Sequence, residues 1–279
     1  MKKILIFLAA FVSFISVQAQ RNEIGLLVGT TYYLGDLNPS KQFLLTKPAF
    51  GIVYRYNLST RWALKLDGLY GNVAGDDAVA KFNVQRNLSF KSTIFEFSPQ
   101  LELNFLNYMT GNKKKDYFTP YIFGGVSVFA FNPKASYNGT WYNLQPLGTE
   151  GQGTTEVGTQ HYSLVNIAFP FGLGVKYSVG KNICIGVEWG LRKTTTDYLD
   201  DVSTTYADPA ILKAENGPIA AILADRSTIP NEPGTQRGNS NTKDWYSFAG
   251  AFITIKFKAF KEGPCPAYGK RQYREFQKD

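Results

Sequence analysis

The polar and apolar positions of this chain alternate in twos. Residues 93–106 read "TIFEFSPQLELNFL". One parity holds Phe95, Phe97, Pro99, Leu101, Leu103 and Phe105; the other holds Ile94, Glu96, Ser98, Gln100, Glu102 and Asn104. Successive side chains of a strand point to opposite faces, so this period predicts a strand with one apolar and one polar face. The segment exceeds the about 9–11 residues that a tilted membrane-spanning strand needs.

Seven more segments follow the same rule. Residues 23–33 set Ile24, Leu26 and Val28 against Gly25 and Gly29. Residues 49–58 set Phe50, Ile52, Tyr54, Tyr56 and Leu58 against Gly51, Arg55 and Asn57. Residues 62–72 set Trp62, Leu64 and Leu66 against Lys65 and Asp67. Residues 118–131 are nearly all apolar, with Gly124 and Gly125 in the middle. Residues 163–179 set Val165, Ile167, Phe169, Phe171, Leu173, Val175 and Tyr177 against Asn166, Gly172, Gly174 and Lys176. Residues 183–193 set Ile183, Ile185, Val187, Trp189 and Leu191 against Cys184, Glu188 and Arg192. Residues 245–258 end with Ile253, Ile255 and Phe257 against Thr254 and Lys256. Eight strands make an even number, as a closed up-and-down barrel requires.

The connections alternate in length. Residues 57–61 and 179–182 are tight turns and 107–117 is modest. Residues 34–47, 73–92, 132–162 and 194–243 are long. Short turns on one side and long loops on the other mark an outer-membrane barrel. Both chain ends then fall on the short-turn, periplasmic side. A soluble eight-stranded barrel would alternate too, with its apolar residues inward. Strand length, aromatics near strand ends (Tyr54, Tyr56, Trp62, Tyr70, Trp189, Trp245) and polar faces rich in Gly and Ser favour lipid outside. The expected fold is therefore all-β: an eight-stranded antiparallel transmembrane barrel with long extracellular loops.

Composition fits this picture. Aromatics are 15% of the 279 residues, and Gly occurs 26 times. Residues 1–19 carry Lys2 and Lys3, an apolar run over 4–17, and small residues before Gln20. These features predict a cleaved signal peptide, the alternative being an uncleaved anchor. The expected organisation is a signal peptide at 1–19, the barrel at 20–258 and a periplasmic tail at 259–279. The net charge of +8 is moderate and says little about partners unless it clusters, and no nucleic-acid partner is expected.

Charges that face a narrow lumen have to be paired, because isolated ions there cost several kcal/mol. The parity places Glu96, Glu102, Glu188 and Asp67 where they meet Arg55, Lys65, Lys176 and Arg192. Such a plug leaves no aqueous channel, which argues against a porin. Enzyme readings are poor. His161 is the one histidine, and it lies in a Gly/Thr-rich loop. There is no nucleophile elbow, no phosphate loop and no metal-spaced Cys/His set. No cofactor, no metal and no small-molecule substrate is expected.

The last long loop opens with "TDYLDDVSTTY", residues 196–206. Asp197, Asp200 and Asp201 cluster there at the outer mouth. Asx turns and rim hydrogen bonds account for them. A Ca²⁺ site is the alternative, without the spacing of a known calcium loop. Asp208-Pro209 reads as a helix cap and first helical residue, and 217–226 is mostly apolar, so short helices are expected in this loop. Lys113, Lys114 and Lys115 make the longer periplasmic turn basic.

The tail carries Pro264, Cys265 and Pro266, followed by Tyr268, Lys270 and Arg271. Disordered filler is poor in aromatics, so this segment reads as a docking site. Three fates of the Cys265 thiol stay open. It forms an intermolecular disulfide with a partner, pairs with Cys184, or remains reduced.

Several stretches together resemble a Bacteroidetes outer-membrane barrel family, that of the PorG-like component of the type IX secretion system. They are "EIGLLVGTTYYLGDL", "PYIFGGVSVFAFNP", "FGLGVKY", "EWGLRKTTTDYLDDVSTTY" and the terminal "CPAY". The resemblance implies a non-enzymatic part of a secretion and gliding apparatus. It implies contact with a periplasmic ring of lipoprotein PorK and its partner PorN, or GldK and GldN. It points to the tail as the contact. The alternative role is a surface receptor or adhesin acting through residues 194–243.

Overall fold

The computed structural model describes residues 22–111 and 115–257. The strands are β1 (Asn22–Leu34), β2 (Lys47–Asn57), β3 (Trp62–Asp76), β4 (Ser89–Asn104), β5 (Phe118–Gly125), β6 (Ser127–Tyr137), β7 (Thr140–Asn143), β8 (Val165–Val179), β9 (Ile183–Thr194) and β10 (Trp245–Phe257). Each barrel strand pairs antiparallel with its sequence neighbours, and β1 pairs with β10 to close the ring. Asn22 lies opposite Phe257, so both ends of the described barrel share the short-turn rim.

Strands β5 and β6 form one barrel strand with a break at Val126. No residue is inserted, because Gln100↔Gly125 and Phe97↔Val128 keep one register. The cause is proline. Pro99 falls opposite Val126 and accepts its N–H at 3.2 Å, but has no N–H to return. On the other flank the register sets Pro170 opposite Gly125. Eight barrel strands thus appear as nine stretches, with β7 added as a hairpin arm on β6.

The faces settle which side meets lipid. Outward residues such as Leu26 (58% exposed) and Phe95 (59%) form an apolar wall around the ring. The inward Arg55, Lys65, Glu102 and Lys176 are fully buried. A soluble barrel would show the reverse. A wall of this kind is stable only against hydrocarbon, so the protein is an eight-stranded antiparallel transmembrane barrel.

Inward glycines make the lumen narrow yet packable. A Cβ on Gly172 or Gly190 would come within 2.7 Å or 2.6 Å of the Phe123 ring. The turn 180–182 is tight because Gly180 adopts φ +72°, which other residues resist.

Two loop expectations need correction. The connection expected at 73–92 is only 77–88, since β3 and β4 stay paired out to Asp76↔Ser89. "NVAGDD" reads as a turn, but Val73 and Ala74 are both buried there beneath packed loops. Likewise, the apolar strand expected to end at 131 runs on to Tyr137 and turns back through β7. Both extensions rise at the long-loop end and help build a second hydrophobic core. That core joins Tyr33, Leu37, Phe90, Phe131, Leu199 and Leu223, among others. It forms a cap whose largest piece is the connection 195–244. That segment holds two short helices, Pro209–Glu215 and Pro218–Ala224. Asp208 caps the first through Ala210 N–H at 2.7 Å.

Candidate functional site

Ion pairs fill the lumen from the short-turn end upward. Lowest is Arg55, 3.1 Å from Glu23 and 2.9 Å from Glu102. Lys176 joins Glu102 at 2.7 Å. Lys65 then bridges Asp67 at 3.0 Å and Glu188 at 2.8 Å. Arg192 meets Glu96 at 3.3 Å. Hydroxyls add to the shells: Thr254 donates to Glu23, Tyr121 to Glu188 and Tyr246 to Glu96, each at 2.8 Å. Rings lie beneath the cations, with Phe123 4.3 Å from Lys65 Nζ.

Residues 105–111 close the lower mouth. Tyr108 and Thr110 are buried, and Thr110 Oγ1 donates to Glu23 Oε1 at 2.5 Å. Lys256 Nζ donates to the Thr110 carbonyl. Glu23, Thr254, Tyr121 and Tyr246 were not among the lumen residues read from the sequence. Glu23 is legible, since it shares the parity of Gly25. The tyrosines were hidden in segments where both parities are apolar or aromatic.

The cap at the opposite end has its own buried charges. Asp77 holds Arg86 with two hydrogen bonds, at 2.7 and 2.9 Å, and Arg86 also donates to the carbonyls of Asp36 and Arg237. Arg237 donates to Glu150 at 3.0 Å and to the carbonyls of Asp201 and Ala224. Glu150 in turn accepts the N–H groups of Ser203 and Thr204. Three connections, 77–88, 144–164 and 195–244, are locked together this way.

The acidic stretch 197–201 organises the base of the cap. Its three carboxylates point to three different places. Asp197 accepts from Ser203 Oγ at 2.7 Å. Asp200 accepts from Tyr33 Oη at 2.5 Å and Asp201 from Tyr162 Oη at 2.6 Å. Asp201 takes φ +69°, a conformation that Asp tolerates, and this turns the chain sharply. Burial pushes Asp197 up to about 7 and Asp201 up to about 6, with Arg237 restraining the latter. Among the described residues no group of His, Cys, Asp or Glu is arranged to hold a metal ion.

A cleft of about 730 Å³ opens on the cap. Its walls come from 34–39, 82–86 and 236–245, and include Asp36, Asn83, Asn239 and Lys243. Phe82 stands at its edge, 68% exposed. His161 is exposed on another connection. Cys184 is buried at the short-turn end and carries no disulfide among the described residues. The tail residues Pro264, Cys265, Pro266, Tyr268, Lys270 and Arg271, the 1–19 segment, Lys113 and Lys114 lie outside the described residues.

A sealed eight-stranded barrel with an ordered cap is a barrel of the outer-membrane type. Residues 2–216 match the family described as "Domain of unknown function (DUF6089)", and the chain belongs to that family. No curated protein matches the chain. Solved structures share the architecture at a distance. The attachment invasion locus protein Ail of Yersinia pestis is 10% identical, with a TM-score of 0.39 over 86% of this chain and 100% of its own. Neisserial surface protein A is 10% identical, with a TM-score of 0.42 over 85% and 97%. OprG of Pseudomonas aeruginosa is 11% identical, with a TM-score of 0.38 over 85% and 95%. At such identity and overlap these likenesses carry no functional weight.

Proposed function

We propose that this protein is a non-conducting, non-enzymatic outer-membrane anchor. In this reading it serves the type IX secretion and gliding machinery. The sealed lumen carries the first part: both its interior and its lower mouth are filled by paired side chains. Such a barrel offers a wall to lipid and its two ends to partners. The second part is supported by the PorG-like stretches, above all "TDYLDDVS" and "CPAY". The periplasmic partner would be a lipoprotein ring of the PorK/PorN or GldK/GldN kind. Pro264, Cys265, Pro266, Tyr268, Lys270 and Arg271 would form the contact, with Cys265 as a covalent lock. Deleting residues 263–279 is expected to leave a folded, heat-modifiable barrel and to abolish secretion and ring attachment. Normal secretion by the truncated chain refutes this reading. A non-reducing gel of native membranes tests the lock: a higher-mass band should vanish in Cys265→Ser.

One observation favours a second reading, a surface receptor or adhesin acting through residues 194–243. The cap is ordered by buried ion pairs and holds the 730 Å³ cleft. An exposed aromatic ring beside amides and a carboxylate suits a hydroxyl-rich ligand such as a glycan. Phe82→Ala with Asn83→Ala would then abolish surface binding while secretion persists. Under this reading the tail deletion would leave surface binding intact.

A further inference from the structure

Tyr33 stands at the upper end of β1, where its hydroxyl meets two carboxylates at once. Tyr33 Oη is 2.5 Å from Asp200 Oδ2 and 3.0 Å from Asp244 Oδ1. All three residues are buried. A phenol carries one proton and so donates one hydrogen bond. If both carboxylates were ionised, one of these contacts would set lone pair against lone pair.

The remaining carboxylate oxygens are already engaged. Asp200 Oδ1 accepts the Val202 N–H at 2.9 Å, and Asp244 Oδ2 accepts the Leu199 N–H at 2.9 Å. The missing proton therefore has to sit on a carboxyl oxygen that faces Tyr33 Oη. No cation relieves the pair, for neither aspartate makes an ion pair among the described residues. The charged groups around them are Asp36, Asp197, Arg86 and Lys243. Arg86 is committed to Asp77. Asp36 and Asp197 add like charge.

We infer that Asp200, Tyr33 and Asp244 share a carboxyl proton at neutral pH, and that this triad is a pH-sensitive clasp closing the cap. Asp200 lies near the start of the 195–244 connection and Asp244 ends it, so the clasp ties both ends of that loop to β1. Thr194 Oγ1 and N–H both donate to the Asp244 carbonyl, which draws the two ends together. The segments that hold the carboxylates also supply Leu199 and Val202 to the cap core. Opening the clasp would therefore loosen the cap rather than the barrel.

The direction of the pH effect follows. Burial, reinforced by neighbouring carboxylates, pushes Asp200 and Asp244 well above the usual carboxylate range. A carboxyl raised in the folded state stabilises it at low pH. That stability is lost as pH rises through the raised value. Acidification closes the clasp and alkalinisation opens it.

Limited proteolysis of the full-length barrel in detergent tests this across a pH series, with heat-modifiability reporting barrel integrity. In the wild type, cleavage within 195–244 should rise with pH by up to about tenfold per unit, the slope for one proton. In Asp244→Asn the amide is neutral and still donates to Tyr33 Oη. Cleavage should stay near the low acidic level, with only the shallower rise that Asp197 and Asp201 contribute below about pH 7. Asp200→Asn is the second variant and should behave alike, so misfolding of either one leaves a decisive comparison. The infrared carbonyl band of a protonated carboxyl at neutral pH should lose intensity in both variants. A pH-independent wild type overturns the inference. So does a series that Asp197→Asn flattens and the two triad variants do not, since the proton would then belong to Asp197.

Discussion

Among the buried side chains of the lumen, Glu23, Asp67, Glu96, Glu102 and Glu188 face Arg55, Lys65, Lys176 and Arg192. Among those of the cap, Asp77, Glu150, Asp197, Asp200, Asp201 and Asp244 face only Arg86 and Arg237. The two regions bury similar amounts of charge and neutralise it in different ways. The lumen uses cations, each shared among carboxylates and often seated on a ring. The cap uses tyrosine hydroxyls, backbone N–H groups and protons. One chain thus neutralises buried charge with cations in one region and largely without them in the other.

The comparison breaks most visibly in the lumen. Glu102→Ala strands Lys176 in a closed space and leaves Arg55 with Glu23 alone. It should cost about 3–5 kcal/mol of barrel stability, the range for an uncompensated buried charge. The denaturant midpoint of the heat-modifiable band measures it, and an unchanged midpoint would mean that the plug is not structural.

In the cap, Arg237→Ala removes hydrogen bonds to Glu150 and to two carbonyls. Its expected cost is about 1.5–3 kcal/mol per lost charged contact, felt locally. Proteolysis of 195–244 should accelerate while the barrel midpoint stays put. A fall in both would show that cap and barrel unfold as one unit.

A pH series sharpens the contrast further. The Asp197 carboxyl rises from 3.8 to about 7 through burial. Its contribution favours the folded cap at acidic pH and fades as pH climbs from about 4 through about 7. Hydrogen exchange of the cap amides should slow on acidification, after correction for intrinsic rates, and an unchanged rate would refute it.

The smallest effect belongs to Phe82→Ala. An exposed ring contributes within about 0.5 kcal/mol, so the thermal midpoint should hold. Any loss of surface binding then belongs to the cleft and not to the fold.

The wall of the barrel was plain in the sequence because a strand repeats every two residues and lipid accepts only the apolar parity. The same parity placed Arg55, Lys65, Glu102 and Lys176 on the inner face. Tyr33 was different. Its carboxylate partners are 167 and 211 residues away, and nothing local links "TYYLGD" to "TDYLDD" or to Asp244. Arg86 reaches the carbonyl of Arg237 across 151 residues. The upper ends of β3 and β4 misled for a related reason: above the membrane, loops cover both faces, so alternation no longer marks a strand.

By itself, then, the sequence determined strand number, the faces of the wall and the residues that had to meet inside. Each follows from local period and from the cost of exposing or isolating a group in lipid. Only the tertiary structure decided how the lumen pairs are matched, how far the strands rise, and that one tyrosine joins two aspartates. Those depend on which distant segments the closed ring and folded loops bring within hydrogen-bond reach.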